Sequence, residues 1–101
     1  MERYNEEVKV LEAAKNLIPN DPDVYFYLGM AYEDVSRFDS AILAYEKNLE
    51  LRPNDKDALF EICILYIMKG SKEKAIKLIP TLSKMNSGLG KEIEMLVRQS
   101  K

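Results

Sequence analysis

A spacing of 34 residues recurs along this chain and constrains its fold more tightly than any compositional figure. Ala41 and Ala75 stand that far apart, as do Tyr32 and Tyr66, Leu17 and Leu51, Pro19 and Pro53, and Tyr4 and Phe38. The dipeptide Asn20-Asp21 returns as Asn54-Asp55 in the same register, with no insertion. A fixed period of this length marks stacked repeats, each a supersecondary unit that cannot bury its apolar face alone. Within the period, apolar residues fall at helical spacing. Tyr25, Leu28 and Tyr32 make one stripe, and Phe38, Ile42 and Tyr45 make the next. Gly29 and Ala41 are small enough to let two helices approach closely. Asp21-Pro22 reads as an N-cap followed by proline in the first helical position. Ser36 with Asp39 reads as a capping box for the second helix, and Pro53 ends it.

Residues 22–55 therefore supply, in order, Tyr25, Leu28-Gly29, Tyr32, Ala41, Tyr45 and Pro53. This segment resembles a tetratricopeptide repeat (TPR); Asn48 alone departs, standing where the motif has a second alanine. The resemblance implies an all-α fold, a right-handed superhelix of antiparallel helix pairs. On that basis 1–101 is expected to be a single domain. It would hold a half repeat at 1–19 (second helix only), a full repeat at 22–55, a full repeat divergent at its end at 56–87, and a C-terminal capping helix at 89–101.

The flanking segments carry their own expectations. Tyr4, Val8, Leu11, Ala14 and Leu17 form the apolar stripe of the first helix, which Pro19 stops. No helix precedes it in the register, so Tyr4, Val8 and Leu11 are expected to lack a cover. Cys63 replaces the close-contact glycine and reads as a small buried hydrophobe. Pro80 falls inside the helix over 71–85 and predicts a kink near 76–79. Asn86-Ser87-Gly88 reads as a loop before a last helix over Leu89 to Ser100. Ile93, Leu96 and Val97 would line its inward face; Lys91, Glu92, Glu94, Arg98 and Gln99 would line its polar one.

Several function classes are disfavoured. A formal net charge of -2 provides no basic face for nucleic acid. The chain has one cysteine and no histidine, which leaves no internal disulfide and removes the commonest general base and zinc ligand. The acidic pairs Glu6-Glu7 and Asp55 with Asp57 read as caps and solvated faces. The most apolar stretch, Leu59 to Met68, is too short to span a bilayer. The expectation is a cytoplasmic protein with no cofactor, no metal and no reaction of its own.

In TPR arrays, as the resemblance implies, the first helix of each repeat lines a concave surface. The corresponding residues are Asp23, Phe26, Met30 and Glu33 in the first full repeat and Asp57, Phe60, Ile64 and Ile67 in the second. Lys91, Glu94, Arg98 and Lys101 extend the series on the last helix. Apolar and thioether groups on such a face would suit a helix or peptide of a protein partner, held by a scaffold or adaptor. A carboxylate tail is disfavoured, because Phe26, Met30, Asp57 and Glu61 stand where a clamp would need basic side chains. The alternative is a homo-oligomerising subunit that uses Tyr4, Val8 and Leu11.

Overall fold

The computed structural model describes the backbone of residues 2–100 and the side chains of residues 5–100, so Tyr4 and Lys101 lie outside the described side chains. The described residues are all-α and form six helices. They are α1 (Glu2–Leu17), α2 (Pro22–Asp34), α3 (Phe38–Leu51), α4 (Lys56–Met68), α5 (Lys72–Met85) and α6 (Ser87–Gln99). It divides into two compact units, Met1–Pro53 with α1 to α3 and Asn54–Lys101 with α4 to α6.

In the first unit α2 begins where its caps direct it. The Asp21 carboxylate accepts from the Asp23 amide at 2.9 Å, and Pro22 occupies the first helical position. The helix ends in a turn that closes on itself. The Ser36 amide donates to the Glu33 carbonyl at 2.9 Å and the Arg37 amide to the Tyr32 carbonyl at 2.8 Å. This pattern places a left-handed residue just past the helix, and Ser36 takes that conformation with φ 60. The expected capping box is thereby corrected. Ser36 lies outside α3, and Arg37 holds the N-cap place with no side-chain cap bond.

The α2/α3 pair closes around one contact. A Cβ added to Gly29 would stand 2.6 Å from the Tyr45 ring, so only glycine admits that ring. Leu28, Ala41 and Tyr45 are fully buried there. Asn48, the departure from the motif, is buried too, and its side-chain amide donates to the Pro22 carbonyl at 2.7 Å. It ties the body of α3 to the first turn of α2, a link that alanine could not make. Helix α1 joins the unit through Tyr32, whose hydroxyl donates to Glu12 at 2.6 Å. Val8 is 3% exposed, whereas Leu17, at the end of α1, is 83% exposed. The expected stripe is corrected at Leu17, since the helix stops before that side chain meets a neighbour.

The second unit repeats the plan with other residues. Asp55 caps α4 by accepting from the Ala58 amide at 3.2 Å. Gly70, with φ 80, takes the left-handed place that Ser36 takes in the first unit. Cys63 and Ala75 are fully buried, and the Cys63 thiol points at the Ala75 carbonyl, 3.9 Å away. Pro80 does not end α5, which runs through to Met85. The loop expected at 86–88 shrinks to a single residue. Asn86 donates its amide to the Leu82 carbonyl at 2.8 Å and closes α5, while its side chain accepts from the Leu89 amide at 3.1 Å and opens α6. Gly90 sits against Ser83 so closely that a Cβ would collide with it, which lets α6 lie directly on α5.

Candidate partner-binding surfaces

The residues expected to face a partner divide into those occupied within the chain and those left open. In α2, Asp23 forms an ion pair with Arg52 at 2.8 Å. Glu33 accepts from the Tyr45 hydroxyl at 3.1 Å. Phe26 is half-buried, with its ring edge-on to Tyr27 and to Tyr45, each at 5.8 Å between centroids. These three side chains help to hold α2 on α3. Met30, 42% exposed, is the one of the four that reaches solvent without such a partner among the described contacts. In α4, Asp57 is exposed, Phe60, Ile64 and Ile67 are half-buried, and Met68 is exposed just beyond them. Lys91, Glu94 and Arg98 are exposed on α6.

A second surface lies on α1. Glu6, Glu7, Val10, Leu11 and Tyr27 line an open depression of about 580 Å³ with an apolar floor and an acidic rim. Val10 is 69% exposed and Tyr27 is exposed as well. Of the residues expected on this face, Leu11 lies on it, half-buried. Val8 does not: it is buried within the chain, and this expectation is corrected because the helix is turned so that Val10 looks outward instead. Tyr4 lies outside the described side chains. The register held the signal that would have found Val10. Residues 10 and 11 stand 34 places before Ala44 and Tyr45, both buried in the α2/α3 pair.

Burial pushes the Cys63 thiol up to about 12 from 9.0, which keeps it protonated and a poor nucleophile. Among the described residues, no group of histidine, cysteine or acidic side chains has the arrangement of a metal site. No helix among them is long and apolar enough to cross a membrane.

Comparisons with known proteins agree with this geometry. Residues 22–55 match the family model described as Tetratricopeptide repeat. Among solved structures, a MamA variant matches at 29% identity and a TM-score of 0.77, covering 85% of this chain and 47% of that one. MamA of AMB-1 matches at 29% identity and a TM-score of 0.77, covering 86% and 48%. MamA of MSR-1 matches at 29% identity and a TM-score of 0.68, covering 92% and 49%. The chain thus spans about half the length of these solved chains. No curated protein sequence matches it.

Proposed function

We propose, for a chain whose residues 22–55 match the tetratricopeptide repeat, a role as a protein-interaction module in which the first-type helices, α2 in one unit and α4 in the other, each present apolar and thioether groups to a helix or peptide of a partner. The observation that carries this reading is the exposure of Met30 on α2 and Met68 on α4, with Ile64 and Ile67 half-buried beside the latter. Flexible thioethers on a helix face adapt to varied apolar partners. In the second unit, Asp57 near the start of α4, with Lys91 and Arg98 on α6, adds polarity that would select an amphipathic ligand. The chain acts by holding a partner, as a scaffold or adaptor does. An array of amphipathic peptides, probed with wild type and with the Met30→Glu/Ile64→Glu double variant, tests it. Peptides captured by wild type should lose at least ~10-fold in affinity with the variant, the effect of removing a central apolar anchor. Equal capture by both proteins would place binding elsewhere.

The open face of α1 favours a second reading, self-association through that helix. Val10 and Leu11 are apolar, accessible and aligned on one side of it.

A further inference from the structure

At one exposed register position the second-type helices carry Lys9 in α1, Leu43 in α3 and Lys77 in α5. Leucine is the exception, and it is 67% exposed. It stands on the edge of a depression of about 200 Å³ that α1, α2 and α3 enclose within the first unit. Leu28 and Ala44, both buried, line this space with Tyr25 and Tyr32, and Lys15 and Ser40 join Leu43 at its rim. We propose that the depression is a second peptide-binding site, separate from the α2 and α4 faces. It takes a phenylalanine-sized side chain whose neighbour in the partner's chain is an aspartate or glutamate.

Size sets the apolar part of the ligand. A cavity of ~150 Å³ lined by aliphatic and aromatic groups accepts benzene, and this space is of the same order. The free donors set the polar part. The Tyr25 hydroxyl donates to the Pro19 carbonyl at 3.1 Å, and the Tyr32 hydroxyl donates to Glu12 at 2.6 Å. The hydrogens left to offer belong to the Lys15 ammonium and the Ser40 hydroxyl. Both residues are half-buried, and neither side chain has a hydrogen-bond or ion-pair partner among the described residues. Glu12, one turn before Lys15 on α1, is engaged by Tyr32. A carboxylate beside the apolar side chain answers both donors, and its charge strengthens the bonds. Leu43 carries the apolar contact past the depression, where a peptide covers it and a small molecule confined to the hollow does not. The rim also departs from the repeat. In the register Leu28 and Tyr32 become Ile62 and Tyr66 and stay core-like, whereas Lys15, Ser40 and Leu43 become Leu49, Lys74 and Lys77. Packing of the repeat accounts for Leu28 and Tyr32 and does not account for the rim.

The probes are the peptide acetyl-Gly-Phe-Glu-Gly-amide and its neutral counterpart with glutamine in place of glutamate. Each is titrated into the full isotope-labelled chain and followed by backbone amide shifts. The glutamate peptide should move the amides of Lys15, Ser40 and Ala44. It should bind about 2- to 5-fold more tightly than the glutamine peptide, the range of a partly exposed ion pair. Lys15→Gln should bind the two peptides alike. Leu43→Gln should weaken both by at least ~5-fold through lost apolar contact. Position 43 is exposed, so circular dichroism should show the helical content unchanged. The Met30→Glu/Ile64→Glu variant should bind the glutamate peptide as wild type does, so this site and the α2 and α4 faces stand or fall separately. Shifts centred on Met30 or Ile64, equal affinity of wild type for the two peptides, or undiminished binding by Leu43→Gln would each overturn the proposal. So would the absence of any shift at millimolar peptide.

Discussion

The pairs α2/α3 and α4/α5 share one register and close by different means. In the first, glycine admits a tyrosine ring whose hydroxyl then reaches Glu33, and Asn48 bonds the Pro22 carbonyl. In the second, Cys63 stands for the glycine, Ile79 for the tyrosine and the fully buried Leu82 for Asn48. One pair sets a hydroxyl and an amide where the other sets aliphatic side chains. The repeat therefore specifies how much room two facing positions share, and the individual residues can vary as long as the partner varies with them.

The sharpest way to break that comparison is to mix the two solutions. Gly29→Cys puts the residue of the second pair opposite the tyrosine of the first. Its Cβ would stand 2.6 Å from the ring, and overpacking of this kind costs about 1–3 kcal/mol. Tyr45→Ile alone leaves a cavity beside Gly29 and is also destabilising. The double variant rebuilds the second pair's combination inside the first unit, so its loss should be smaller than the two single losses added. Urea unfolding of all four proteins gives the coupling directly. Additive losses would show that the size match is incidental.

A smaller effect separates the units by their titrating groups. Burial and the Glu12 carboxylate, which accepts the phenol proton, push Tyr32 in the first unit up to about 12 from 10.0. Burial pushes Cys63 in the second unit up to about 12 from 9.0. In both cases the unfolded chain releases its proton before the folded chain does. The folded state then binds more protons, and stability falls with rising pH, from about 10 to 12 for Tyr32 and from about 9 to 12 for Cys63. Tyr32→Phe should cost about 0.5–1.5 kcal/mol at neutral pH through the lost hydrogen bond. Above pH 10 it should also flatten the decline relative to wild type. Unfolding midpoints measured at pH 7, 9, 10 and 11 check both statements, and parallel curves for the two proteins would remove Tyr32 from the account.

What could be read from the residues alone was what local physics decides. Asp21, Asp55 and the two prolines after α1 and α3 announce helix boundaries by their own chemistry, and the order of helices follows from them. Cys63 was legible as core because it stands in the place of Gly29. Contacts across helices were less legible. Phe26 has the register of a partner-facing residue, yet its ring lies against Tyr45, and no property of Phe26 itself reveals that. On α1 the apolar residues are spread over Val8, Val10, Leu11, Ala14 and Leu17, so periodicity does not choose between two neighbouring faces. Comparison with Ala44 and Tyr45 does.

Ser36 shows the same limit on the scale of one turn, and it leads to the smallest of these effects. A serine with an acid three residues on has the pattern of a capping box, and that pattern conceals the register with Gly70. Both residues take a left-handed conformation, φ 60 for Ser36 and 80 for Gly70. The bonds around them correspond as well. Arg37 donates to the Tyr32 carbonyl and Ser71 to the Tyr66 carbonyl, each at 2.8 Å. A Cβ at position 70 would meet nothing within 4 Å, so space does not decide between serine and glycine there. Only the backbone does, because the left-handed region crowds Cβ against the following carbonyl. Ser36→Gly relieves that crowding but frees the unfolded chain, which leaves a net gain of about 0.5–1 kcal/mol. Gly70→Ser should lose a similar amount, and the double variant should melt near wild type. If Ser36→Gly instead lowered the melting temperature, the serine side chain would be contributing to the turn more than its conformation costs, and the two turns would be alike in geometry alone.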